Sequence, residues 1–452
     1  MSRTISGLLL ALLLASTTLP QAPEPAAPPA DRVLWTIALL APSFGSGAIA
    51  DLEGDGRSEV VFGAYFNDEV FRCLDARTGA VRWASRSRGG PLDASVLVAD
   101  LDGEKGLEVV YADSAKGTVW CRDAAGRERW VFEGPSGTDS PPAAADLDGD
   151  GKPEIVYGTM KVKGGAGRVV ALEGATGKLR WMVEVPGHIQ SEPALVDLDG
   201  DGDLEVLVTN WMGDGRLRAL DGRTGRELWQ FATDDWVYHG VSAFDRDGDG
   251  KAEIVVADRG GRVWMLKGTD GAVLWKAELE GEAKGMVFGP TSLVDSDGEG
   301  PPEIVVCGRH VHVLDAEGKR RWRRTYGPRS IARGVAVADL DGDGAKDLVF
   351  GTGGVLRALR ARDGEEILAF DLATAPEDHI DHAPLIDDLD GDGRLDVFVV
   401  VGRGRSGPTA KENRGRAWAL RAGAGSPEGG NRWTTFRGSN RRTGGAWGAP
   451  PR

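Results

Sequence analysis

The segment Asp146–Ile155 reads DLDGDGKPEI, and it decides the fold because it recurs. DLDGDGDLEV runs from Asp197 to Val206, DRDGDGKAEI from Asp245 to Ile254, DLDGDGAKDL from Asp339 to Leu348 and DLDGDGRLDV from Asp388 to Val397. Looser copies are DLEGDGRSEV from Asp51, DLDGEKGLEV from Asp100 and DSDGEGPPEI from Asp295. The eight starts lie 44 to 51 residues apart. A fixed period of that size marks an array of identical supersecondary units.

A second series keeps step with the first. Tryptophans stand at Trp35, Trp83, Trp130, Trp181, Trp229, Trp275 and Trp322, with Leu368 at the eighth place. Most follow a turn such as RTGAVRW or ATGKLRW, where glycine supplies the positive φ of a tight hairpin. Period-2 alternation and β-branched residues fill the segments between, and no sustained 3.6-residue period occurs. Each unit therefore reads as four short strands, the size of a propeller blade. The expected fold is an all-β, eight-bladed β-propeller over residues 32–422. The tryptophan series begins before the first acidic loop and ends one place early, so Val33–Leu39 is expected to supply the last blade's fourth strand and leave no open edge. Trp433 offers an alternative strand for that closure.

The acidic loops carry the chemistry. Hard oxygen ligands at alternate positions around glycines suit Ca²⁺. Carboxylates at positions 1, 3, 5 and 9 with the carbonyl of position 7 give the expected ligands. These are Asp51, Glu53, Asp55, Arg57 and Glu59; Asp100, Asp102, Glu104 and Glu108; Asp146, Asp148, Asp150, Lys152 and Glu154; and Asp197, Asp199, Asp201, Asp203 and Glu205. The second half of the chain adds Asp245, Asp247, Asp249, Lys251 and Glu253; Asp295, Asp297, Glu299 and Glu303; Asp339, Asp341, Asp343, Ala345 and Asp347; and Asp388, Asp390, Asp392, Arg394 and Asp396. Position 12 is apolar or aromatic (Tyr157, Val208, Phe350), so the helix–loop–helix calcium motif is rejected. Magnesium suits these loops less well because it keeps water and octahedral geometry. Lys105 at position 6 of the second loop, and Glu299, Pro301 and Pro302 in the sixth, are expected to weaken those two sites.

The 452 residues hold 69 Asp+Glu against 54 Lys+Arg, a formal charge of −15, so up to eight Ca²⁺ would bring the loaded chain near neutrality. Net acidity argues against a nucleic-acid partner. Three cysteines cannot form a disulfide framework. Arg3 and the apolar run Gly7 to Ala15 read as a secretory signal over residues 1–22, too short to span a bilayer; a membrane anchor is the alternative. Residues 23–31 read as a Pro/Ala-rich linker and 423–452 as a C-terminal extension. No other stretch approaches membrane-spanning length, so the protein is expected to be secreted, periplasmic or at the cell surface.

The acidic loops resemble FG-GAP/VCBS repeats, the units of integrin α-subunit propellers and many secreted bacterial proteins. The hairpins resemble the tryptophan-docking motif of quinoprotein-type propellers: Ala171, Glu173, Thr176, Gly177, Lys178 and Trp181 match its spacing, with Glu for Asp. The resemblance covers about Val33 to Leu420 and implies Ca²⁺ in the loops and Trp rings wedged between blades. It departs at Leu368 and in the eighth repeat. A propeller hosts many functions, so the resemblance leaves activity open.

Segments just before each first strand are expected near the central channel. They hold His188, Trp236, Tyr238, His239, Arg329, Arg333, Asp378, His379, Asp381 and His382, a candidate ligand pocket. Non-catalytic recognition, adhesion or scaffolding of a protein or glycan at this mouth is the expected role. A lyase- or hydrolase-like carbohydrate enzyme remains open, with acid–base work for Asp378, Asp381 and the histidines. A quinoprotein-like enzyme lacks the vicinal cysteine pair and any haem-attachment motif.

Overall fold

A computed structural model describes residues 25–162, 165–281, 287–326, 331 and 333–427. Eight four-stranded antiparallel sheets follow one another around a ring. Blade 1 comprises Ala48–Ala50, Glu59–Gly63, Val70–Asp75 and Val81–Arg86. Blades 2 to 7 repeat that pattern with first strands Leu97–Ala99, Ala143–Ala145, Ala194–Val196, Ser242–Phe244, Ser292–Val294 and Ala336–Ala338. Blade 8 takes Leu385–Asp387, Asp396–Arg403 and Arg414–Arg421 from the C-terminal side and Val33–Leu39 from the N-terminal side. The expected closure is therefore observed, and first strands of blades 1 and 8 meet as other neighbours do.

Burial explains the patterning. Second strands such as Glu154–Gly158 are buried at every position, flanked by neighbouring blades on both faces, and read as unbroken apolar runs. Fourth strands such as Val81–Arg86 alternate exposed and half-buried residues because they form the rim. Hydrophobic clusters lie mostly between adjacent blades: one joins Leu97, Val110 and Cys121 to Ala144, Ile155 and Val170.

The tryptophans fasten the ring. Each indole Nε1 donates to a carbonyl of the next blade: Trp35 to Ala76, Trp83 to Ala124, Trp130 to Gly174, Trp181 to Gly222, Trp229 to Gly268, Trp275 to Ala316 and Trp322 to Ala361, at 2.7–3.0 Å. The ring lies on the glycine of that blade's third-to-fourth-strand turn. At Gly177 (φ +69) an added Cβ would stand 2.6 Å from the Trp130 ring, so both backbone and space demand glycine.

Leu368 has a structural reason. Its dock would be the third-to-fourth-strand hairpin of blade 8, which does not exist because that fourth strand comes from the N-terminus. The seam is filled instead by the segment before Val33, where Asp371 N–H donates to the Ala26 carbonyl (2.9 Å) and Arg421 donates to the Asp31 carbonyl (3.1 Å). The expected signal and most of the C-terminal extension, with Trp433, lie outside the described residues. Among the described residues no helix is long and apolar enough to cross a membrane.

Candidate cation loops and the axial mouth

An antiparallel meander puts its connections on two faces. The acidic loops and the tight hairpins share one face. Connections entering each first strand, and the loops between second and third strands, share the other.

On the acidic face, positions 1, 3 and 9 converge. Ligand oxygens of Asp100/Asp102/Glu108, Asp146/Asp148/Glu154, Asp197/Asp199/Glu205, Asp245/Asp247/Glu253 and Asp339/Asp341/Asp347 lie within 4.8 Å of one another in each loop. The second loop, with Lys105, is among them. Position 1 accepts from loop backbone N–H groups, as Asp146 does from Gly149 (2.8 Å) and Gly151 (2.9 Å). Position 5 turns back onto the N–H of position 7, as Asp150 does to Lys152 (2.8 Å) and Asp249 to Lys251 (2.9 Å). Position 9 gives one oxygen to the N–H of position 2 in all eight loops, from Leu52–Glu59 (3.1 Å) to Leu389–Asp396 (2.9 Å).

Electrostatics match a cation-seeking site. At most of the loops burial pushes the position-9 acid up, against that backbone hydrogen bond, and neighbouring carboxylates push it further. Glu154 rises to about 6, and Glu108, Glu205, Asp347 and Asp396 to about 7. Asp347 is fully buried and its Oδ1 has no hydrogen-bond partner. The donor set, all hard oxygens around a gap a few ångströms wide, fits a divalent cation such as Ca²⁺.

The mouth on the opposite face has a register of its own. Counting seven residues back from each loop's first aspartate gives Phe44, Asp93, Asp139, Gln190, Tyr238, Phe288, Ala332 and Asp381. Those among the described residues face one another. Gln190 Nε2 donates to Asp139 Oδ2 (2.6 Å), Tyr238 packs edge-on to Phe288 (5.5 Å), and Phe44 packs on Tyr65 (4.3 Å). Burial raises the Tyr65 phenol, and the charges of Asp93, Asp139 and Asp381 raise it further. Burial also raises Asp93 and Asp139, and the charge of Asp139 adds to the shift at Asp93. Asp139 Oδ1 and Gln190 Oε1 are buried without a hydrogen-bond partner. Sequence reading included Tyr238 and Asp381 but missed Asp93, Asp139, Gln190 and Tyr65. The blade register would have marked the first three.

The expected pocket residues divide. Position −6 from the first aspartate is structural. His382 is 3% exposed; its Nδ1 lies 2.8 Å from the Ala383 carbonyl and its Nε2 accepts from Val400 N–H (2.8 Å). Ser140 and Ser191, at the same place in blades 3 and 4, accept from the equivalent N–H groups of Gly158 (2.9 Å) and Thr209 (3.1 Å). His239 is buried against the buried Glu192 (3.1 Å). His188 and His379 make backbone bridges, to Trp211 in the second-to-third-strand loop of blade 4 and to Gly402 near the end of the second strand of blade 8. Asp378 is buried in a turn, accepting from Thr374 and Arg414. Trp236 lies under the Arg259 guanidinium (4.6 Å), and Arg333 is nearly buried. Arg329 lies outside the described residues. The mouth thus gathers Tyr238, Asp381 and Arg333 with the four residues above, while His239, His382 and Asp378 are held inside the blades.

A quinone cofactor finds no fit here. Cys73, Cys121 and Cys307 are buried in separate strands with no disulfide between them, and burial pushes the Cys73 thiol up to about 12. At the mouth the carboxyl groups of Asp93, Asp139 and Asp381 outnumber the charge of Arg333, a poor match for a polycarboxylate quinone.

Fold and fasteners define a repeat β-propeller of the tryptophan-docking class. The family model described as outer membrane protein assembly factor BamB matches residues 26–201, 146–286 and 213–435, and the chain belongs to this family of PQQ-like repeats. The FG-GAP/VCBS likeness rests on the acidic loops alone. The serine/threonine-protein kinase AfsK of Streptomyces griseus is 30% identical over 154 residues, 33% of this chain and 18% of the kinase, so the chain spans under a fifth of that relative. Among solved structures, Saccharomyces cerevisiae Sqt1 superposes with a TM-score of 0.63 at 12% identity, over 86% of this chain and 98% of that one. The quinohemoprotein alcohol dehydrogenase of Comamonas testosteroni gives 0.59 at 16%, over 88% and 78%. These likenesses show the fold.

Proposed function

We propose that this is an exported, calcium-binding propeller that recognises a glycan or protein at its axial mouth without transforming it. One observation carries the reading: Asp139 Oδ1 and Gln190 Oε1 are buried acceptors with no donor, set among Tyr65, Tyr238, Phe44 and Phe288. Orphan acceptors beside aromatic faces suit a ligand that brings hydroxyl or amide donors and an apolar surface. Calcium on the opposite face stabilises the blades and leaves the mouth clear. The family's namesake is described as an assembly factor, which agrees with a binding role.

The test is a glycan array and a protein-ligand screen on calcium-loaded protein. A ligand should bind, and Asp139→Asn and Gln190→Ala should each weaken it about tenfold, the worth of one well-placed hydrogen bond, with melting unchanged. Failure to bind anything in either screen overturns the reading. The raised Asp93–Asp139 pair favours a second reading, acid–base cleavage of a bound glycan. Release of new reducing ends from the bound glycan would establish it in place of the first.

A further inference from the structure

The loops are not equivalent, and the difference lies one residue before each tryptophan. That residue is skipped in the pairing of third and fourth strands: Cys73 faces Trp83 and Leu74 faces Val81, leaving Arg82 bulged out. The same one-residue bulge recurs at Arg129, Arg180, Leu228, Leu274, Arg321, Ile367 and Leu34. A bulge re-aims its side chain, here toward the acidic loop of the same blade.

Where the bulged residue is arginine, its guanidinium occupies the loop. Arg82 contacts Glu53 (2.8 Å) and Glu59; Arg180 contacts Asp148 and Glu154 (3.8 Å); Arg321 contacts Asp297 (2.9 Å) and Glu303 (2.5 Å). Arg129 contacts Asp102 and, at 3.7 Å, Glu104. These are positions 3 and 9 in loops 1, 3 and 6 and positions 3 and 5 in loop 2, the oxygens a metal would need.

Where the bulged residue is aliphatic, no arginine forms an ion pair with position 9 among the described residues. Glu205, Glu253, Asp347 and Asp396 are at least nine-tenths buried and give one oxygen to a backbone N–H; the other has no hydrogen-bond partner. In blades 4, 5 and 7 it converges with positions 1 and 3, as in blades 2 and 3, where a guanidinium already sits on position 3. Other arginines reach these loops away from position 9. Arg223 meets Asp203 at position 7, Arg360 meets Asp341 (3.8 Å) and Asp343 (3.2 Å) at positions 3 and 5, and Arg421 meets Asp390 (2.8 Å) at position 3. Leu228 and Leu274 stand 40% and 38% exposed where the arginine blades put a charge.

We infer that the bulged residue decides which cation each loop takes: arginine in blades 1, 2, 3 and 6 serves as a built-in counter-ion, and divalent cations bind only in blades 4, 5, 7 and 8. This rests on the reading of the acidic loops as cation sites and sharpens it from eight ions to four. The sites fall in two adjacent pairs. Loops 4 and 5 abut, since a Cβ on Gly200 would stand 2.8 Å from the Gly250 carbonyl oxygen, so ions in that pair would brace two blades against each other.

Calcium titration by calorimetry and elemental analysis of the full chain tests this. About four equivalents are expected. Leu228→Arg and Leu274→Arg should each remove one, and Arg180→Leu should add one, with circular dichroism confirming an intact propeller. Eight equivalents, or a count that Leu228→Arg and Arg180→Leu leave unmoved in folded protein, overturns the arginine rule while leaving the loops as cation sites. No calcium bound at all overturns both.

Discussion

His382 and Ser140 share neither size nor charge, yet each accepts the same backbone N–H of its own blade's second strand. The serine does this at any pH; the imidazole must stay neutral. Burial, helped by the nearby charge of Arg333, pushes His382 down to about 4 from 6.5. Below pH 6.5 the unfolded chain takes up this proton while the folded chain refuses it until about 4. Stability therefore falls through that window, by about 3 kcal/mol at most from this group. In His382→Ser, which keeps a hydroxyl acceptor, the melting temperature should fall less between pH 7 and 4.5 than it does in the parent. Equal slopes in the two proteins would remove His382 from the acid response.

At the scale of the blade, what could be read in the sequence was what repeats. Acidic loops recur eight times and turn glycines and docked tryptophans seven times, each in one geometry, so four-strand units, their number and the N-terminal closure were legible in it. The mouth was not, because each blade contributes a single residue and the ring needs them to differ: Phe44, Asp93, Asp139, Gln190 and Tyr238 share a position and no chemistry. The arginine bulges were hidden differently. Arg82, Arg129, Arg180 and Arg321 read as ordinary rim residues until the pairing register shows each pushed out over its loop. Leu368 was legible as an exception, but its reason needed the topology. Because blade 8 has no hairpin to receive a ring, Leu368→Trp should bring no rise in melting temperature, and crowding against Phe370 and the packed Val33 should lower it. A stabilised variant would mean that the seam between blades 7 and 8 docks an indole after all.

For the whole molecule, the last fastener is the first strand. Val33–Leu39 pairs along Arg414–Arg421, buries Trp35 and Leu39 against Phe398, Val400 and Ala417, and places the Trp35 indole on the Gly79 turn of blade 1. Unlike the other seven fourth strands, it has no covalent hairpin to its neighbour, so its hold is wholly non-covalent. Removing residues 1–39 would cost about 5 kcal/mol in lost apolar burial and packing around Trp35 and Leu39. It would also bare two things at once: the hydrogen-bonding edge of Arg414–Arg421 and the Gly79 turn that receives Trp35. A ring opened at one blade presents complementary halves, so the truncated chain is expected to self-associate in size-exclusion chromatography as well as melt earlier. A peptide spanning residues 25–40, added in trans, should restore both the monomer and much of the melting temperature, because edge and turn remain shaped for that strand. A truncated chain that stays monomeric with unchanged melting would show that the other seven docks close the ring without it.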